Sequence, residues 1–162
     1  MSLVDLWPWL ENLPIAQAIG ESWWFPLLES IHVLAATFLV GSILMVDLRL
    51  LGLAATAYPA SRVVRETVPW TYSASAISVI TGLGLFITRA DHYVGNRAFQ
   101  IKLVLLVLAG LNMAVFHLAT SRGMAQRDDA AVTTTGARFA GASSLLLWIG
   151  VMLAGRWIGH LN

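Results

Sequence analysis

An all-α bundle of four membrane-spanning helices is the fold this sequence predicts, and three observations predict it. Apolar residues make up 57% of the 162-residue chain and charged residues only 12%, where a soluble domain carries about a quarter. Mean hydropathy is +0.72. Four apolar stretches, roughly 24–53, 70–89, 98–121 and 138–161, each reach or pass the ~20 residues that cross a bilayer as a helix. The length fits one transmembrane domain over residues 1–162.

Each element has its own reason. In "MSLVDLWPWLENLPIAQAIGES", Asp5 and Glu11 stand where a signal peptide would carry basic residues, which argues against a cleaved leader. Leu3, Leu6, Trp7, Leu10 and Leu13 recur at helical spacing, so this segment reads as an interfacial amphipathic helix capping the bundle. The link after the first span holds Pro59 and "ASRVVRE", read as a short surface helix. "RADHYVGNR" reads as a tight polar turn before the third span, with His92 a solvated residue in it. "SRGMAQRDDAAVTTTG" reads as a mobile loop before the fourth. Ala74, Ser78 and Gly82 recur every fourth residue of the second span, and small residues at that spacing let helices approach closely. Trp23, Trp24, Trp70 and Trp157 fall at span ends, where indole rings anchor at the headgroups.

Composition also excludes function classes. A net charge of +1 offers no basic field for nucleic acid. The chain has no cysteine, so disulfides, thiolate metal sites and covalent c-type haem attachment are excluded. The chain carries no phosphate-binding glycine loop, nucleophile elbow or His-Glu-x-x-His zinc pair. Met45, Met113, Met124 and Met152 do not gather into a thioether copper site.

Basic residues set the expected orientation. None precedes Arg49; Arg49, Arg62, Arg65, Arg122, Arg127 and Arg138 fall on one side, and Arg89, Arg97, Lys102 and Arg156 on the other. The first span often dominates the positive-inside bias, which places both termini outside the cytoplasm.

The ionisable residues within the spans then sort by depth. His32 and Asp47 are fifteen residues apart, as are Lys102 and His117. Spans one and three run in the same direction, so each pair covers about 22 Å of helix. Fifteen steps of 100° return each partner to within about 60° of the first. Two polar layers result: Glu29, His32 and Lys102 toward the outside, joined by Arg156 and His160; Asp47, Arg49 and His117 toward the cytoplasm. Two readings compete. In one, the groups are structural ion pairs, Glu29 with Lys102 and Asp47 with Arg49 or His117, the long side chains snorkelling to the headgroups. The Asp47–His117 pair, with Arg49 nearby, then reads as a structural clasp or a proton-handling site on the cytoplasmic side. In the other, His32, about two turns inside the membrane and too short to snorkel, is a metal or haem ligand.

The runs "ESIHVLAATFLVGSILMVDLRLLGL", "FQIKLVLLVLAGLNMAVFH" and "LLLWIGVMLAGRWI" resemble, over nearly the whole chain, an uncharacterised family of small bacterial four-helix membrane proteins. More distantly, spans one and three are similar to the copper-resistance protein D membrane domain and to the four-helix bacterial protoporphyrinogen IX oxidases, which bind b-type haem. His32, Gly41, Arg49-Leu50 and Lys102 match the order of an early histidine, a glycine, an Arg-Leu pair and a lysine in those oxidases. Where they carry a Tyr-His pair this chain has Leu111-Asn112, and its histidine comes at His117.

The resemblance implies haem b held by His32 with Lys102. Axial ligands share one depth, which separates His32 from His117 and leaves His160 as another partner for His32. His117 would then hold a second cofactor, without an evident partner in span two or four. Arg156 suits a haem propionate, since a guanidinium pairs bidentately with carboxylates. The expected function is therefore a b-type haem protein of the bacterial inner membrane, serving electron transfer or porphyrin-related redox chemistry. Partners compatible with it are a quinone, a redox protein and further copies of the chain. The alternative is a non-catalytic membrane subunit or a copper-handling component whose buried charges are structural.

Overall fold

The computed structural model describes residues 3–116, 118 and 135–160. Among them the chain is all-helical: α1 (Leu3–Glu11), α2 (Pro14–Gly20), α3 (Trp24–Leu51), α4 (Ala60–Thr88), α5 (Ala90–Gly95), α6 (Arg97–Val115) and α7 (Thr135–Trp157). Four of these, α3, α4, α6 and α7, are long and apolar enough to cross a membrane. Their outward faces confirm the solvent. Leu34 is 70% exposed, Ile80 70%, Val104 59% and Leu146 71%, one from each long helix. Apolar surface on that scale is covered by lipid in a working protein. The chain is a multi-pass membrane protein.

The helix ends follow from local chemistry. Gly52 stops α3 because its φ of +77° is open to glycine at little cost. Its N–H donates to Arg49 O at 3.1 Å, and Leu53 N–H donates to Leu48 O at 2.9 Å, a Schellman closure. Asn96 starts α6: its side-chain oxygen accepts from Ala98 N at 2.9 Å and Phe99 N at 3.2 Å, satisfying two of the first-turn donors.

Three segments differ from the sequence reading. The N-terminal segment is two helices, because Pro14 opens α2 and its missing N–H suits only a first helical turn. "ASRVVRE" is no separate surface helix; it is the first part of α4. Pro69 lies inside α4 and removes one backbone hydrogen bond, yet the helix runs through it. Val63 is buried, and Val64 and Val68 face the bundle interior, so the packed face continues across the proline. The polar turn is the short helix α5. His92 within it is exposed, as expected, and its ring lies edge-on to Tyr93 at 5.8 Å. Arg122, Arg127, Met124 and most of the link before α7 lie outside the described residues.

Packing is uneven around the bundle. Helix α3 packs on α4 and α7, and α6 packs on α7, while α4 and α6 make no close backbone approach among the described residues. Aromatic rings join α4 and α6 at one end only: Phe86 stacks on Phe99 at 5.6 Å, with Tyr93 5.4 Å from Phe99. Helix α1 closes over them, Trp7 edge-on to Phe86 at 6.1 Å, and Glu11 accepts a hydrogen bond from Asp91 N at 2.9 Å. This is the near end, where α3 begins; the far end carries the α3–α4 link.

Candidate functional site

The polar residues on the long helices occupy two levels. At the near-end level, His32 projects from α3 onto α4. Its Nδ1 lies 3.0 Å from the Ser78 carbonyl oxygen and 3.0 Å from Thr81 Oγ1. The Thr81 hydroxyl donates its own proton to Ile77 O at 2.7 Å, so that oxygen is an acceptor for the ring. A carbonyl oxygen only accepts. Nδ1 therefore carries the hydrogen, and the neutral ring keeps its lone pair on Nε2. The ring seats against Gly82, where an added Cβ would stand 3.1 Å from His32 Cε1. The small-residue stripe of α4 thus forms the bed of the imidazole as well as a helix contact.

Lys102 of α6 and Glu29 of α3 both lie near enough to His32 to interact with it electrostatically. Glu29 is exposed and Lys102 half-buried. The Lys102 stem lies along α7, its Nζ 3.7 Å from where a Cβ on Gly155 would stand. Arg156 is exposed in the last turn of α7. His160 is exposed in the turn beyond, its backbone N–H on Trp157 O at 3.0 Å. The structure thus brings His32, Lys102 and Glu29 into one electrostatic group and leaves Arg156 and His160 at the surface of the same end. No Glu29–Lys102 ion pair forms; among the described residues the ion pair is Arg62–Glu66, 2.8 Å apart at the surface.

The far level is drier. Asp47 is 4% exposed and Arg49 3%. The two do not pair. Arg49 Nε donates to the Tyr58 carbonyl at 2.8 Å, tying the end of α3 to its outgoing link. Asp47 Oδ2 has no hydrogen-bond partner among the described residues. Ser144 of α7 supplies the hydroxyl beside the carboxyl, a neighbour the sequence reading did not find. That reading set α3 against α6, but α7 packs between them. His117 lies outside the described residues. Asn112 of α6 donates to Ala140 O of α7 at 3.0 Å, and Ser42 and Thr71 share a hydrogen bond of 2.9 Å between α3 and α4.

Among the described residues no three His, Asp or Glu side chains gather as a metal-ligating cluster. A single imidazole with its second nitrogen fixed remains, and that is the preparation metal-bound histidines show, the ring N–H opposite the metal being donated to a carbonyl or other acceptor. His32 fits an axial ligand on that chemistry.

The profile of one protein family matches residues 17–161, from within α2 to just beyond α7. The chain belongs to the family of unknown function DUF6644. No curated protein and no solved structure matches it. The family assigns no activity, and the comparisons show no likeness to copper-resistance domains or haem-binding oxidases.

Proposed function

We propose that this membrane protein is a b-type haem protein of the bacterial inner membrane, serving electron transfer or porphyrin-related redox chemistry, with His32 as principal axial ligand. One observation carries the reading: the His32 Nδ1 hydrogen is committed to Ser78 O and Thr81 Oγ1, which leaves Nε2 as the donor atom. Two acceptors from one turn of α4 also fix the ring plane, so the ligand is oriented before it binds. Lys102 or His160 would complete the coordination, and Lys102 and Arg156 would neutralise propionates. A bound haem supplies one-electron chemistry whose potential its ligands and a low dielectric tune. Both termini face the periplasm in this reading, and electrons pass to a quinone or a redox partner protein.

The test is the absorption spectrum of protein purified in detergent from cells supplied with haem, with a pyridine haemochrome assay. A Soret band that His32→Ala abolishes or shifts is expected. A colourless protein, or a band unchanged in His32→Ala, refutes the proposal.

A second reading has its own support. Arg49 bound to Tyr58 O and Lys102 lying over Gly155 each tie one element to another, as structural charges do. In a non-catalytic or copper-handling subunit, Lys102→Met lowers thermal stability without any spectral change, and the protein co-purifies with a partner or with stoichiometric copper.

A further inference from the structure

A cavity of about 70 Å³ lies between all four long helices toward the far end. Its polar wall groups are Asp47 of α3, Thr71 of α4, Asn112 of α6 and Ser144 of α7, and the rest of the wall is mainly apolar. Asp47 Oδ2 is buried there without a hydrogen-bond partner among the described residues. Around it Ser144 presents its hydroxyl to the carboxyl, the Asn112 amide, which has two hydrogens, gives one to Ala140 O, and the Thr71 hydroxyl bonds Thr67 O at 3.2 Å or Ser42. The wall therefore offers both donors and acceptors, which suits water.

No charged side chain among the described residues meets the carboxyl. Arg49, on the same helix, turns to Tyr58 O. Arg138 of α7 reaches Leu51 O at 3.4 Å. Helix α4 brings only the Tyr72 phenol to the cavity wall, and the described part of α6 brings only neutral groups. Among the described residues the carboxyl thus meets no cation, and an unpaired buried charge is costly to keep, which favours its protonated form.

Size and lining choose the occupant. A water needs about 10–15 Å³ of such space, so roughly five fit. An engineered cavity that binds benzene measures about 150 Å³, twice what is here, so water suits this space better than a ring does. The four polar groups that the described residues bring to a mainly apolar wall are few for a bare metal ion, which takes six or more oxygens when hard. The cavity lies where α4 and α6 stand apart, with Tyr72, 54% exposed, on its wall. We infer that the four-helix cavity is a hydrated proton-binding site in which the Asp47 carboxylate binds a proton relayed from the medium through cavity water and releases it by the same route. The site is separate from His32 and does not depend on haem.

Infrared spectroscopy of the full-length protein in lipid tests this directly, because Asp47 is the one buried carboxyl among the described residues. A carbonyl stretch of a protonated carboxylic acid is expected. It should shift when H2O is replaced by D2O, disappear reversibly as pH rises, and be missing from Asp47→Asn. If Asp47→Asn does not fold, wild type still decides through the D2O and pH experiments, and Ser144→Ala should move the band by changing the hydrogen bonding at the carboxyl. A band indifferent to D2O and pH means a sealed structural acid and overturns the inference. So does the lack of the band at any pH, or its loss when sodium replaces choline at constant pH, which would make the site an alkali-ion site.

Discussion

Gly141 sets how closely α7 approaches α3, and Gly141→Ala measures that approach. An added Cβ would stand 3.1 Å from Leu50 Cβ and 3.2 Å from the Asp47 carbonyl oxygen. Carbon atoms settle at about 3.5–4.0 Å, so the helices must part by roughly half an ångström. Neither atom can turn aside, since one is backbone and the other is the first side-chain carbon. Overpacking of this kind costs about 1–3 kcal/mol. Alanine recovers about 1 kcal/mol of helix propensity over glycine, which would mask part of the loss. Gly110→Ala removes that ambiguity: nothing lies within 4 Å of its added Cβ, so it gains propensity alone. The two variants should therefore differ by about 1–3 kcal/mol, Gly141→Ala being the less stable in thermal unfolding followed by helical circular dichroism in detergent. Equal stability of the two would refute the close α3–α7 crossing on which the Asp47–Ser144 neighbourhood depends.

Other outcomes are expected elsewhere. Asn112→Leu removes the side-chain bond to Ala140 O and should lower stability by about 1 kcal/mol, within the range of interhelical bonds in membranes, read by the same melt. Asn96→Ala loses both its cap on α6 and its bond to Ile158 O, a loss of about 1–2 kcal/mol, whereas Asn96→Asp keeps the cap and should fall between. If His32 holds haem, Thr81→Val removes one acceptor of its ring and should weaken haem retention roughly 10-fold, measured by competition with apomyoglobin. At Tyr93, in the link between spans, burial pushes the phenol above its ordinary value, against a smaller opposing effect of Arg89. The neutral phenol is the form folding favours, so its contribution is whole below about pH 10 and is lost as pH rises further. Tyr93→Phe should flatten that alkaline decline in a pH series of melting temperatures.

The fold was largely legible because lipid demands long apolar runs, and the four spans stand out in the sequence for that reason. What the sequence hid was which helix touches which. Equal spacings made His32 and Asp47 match Lys102 and His117 in depth, and depth is a property of one helix at a time. Lateral order depends on where glycines admit a neighbour, and Gly141, Gly150 and Gly155 all lie on α7, the helix that packs on both α3 and α6. Ser144 beside Asp47 was missed for that reason. The seat of His32 was half-legible: Ser78 and Gly82 were visible as a small-residue stripe, but one partner is the Ser78 carbonyl, and every residue has one. Two prolines left unread in the sequence act in opposite senses: Pro14 opens α2 whereas Pro69 is absorbed within α4.

Asn96 imposes an order on biosynthesis. Its oxygen caps α6 with residues two and three places ahead, so the start of that helix is sealed almost as soon as it is made. Its amide nitrogen waits for Ile158 O, 3.1 Å away in the finished bundle and 62 residues later in the chain. At about 5–20 residues per second of translation, that wait lasts roughly 3 to 12 seconds. Once α6 has followed Asn96, the first three spans can lie in the membrane with one end of the bundle unlatched, and the arrival of the fourth closes the latch. A released chain cut short of Ile158 would present this open end to insertion factors and proteases, and one that includes it would not.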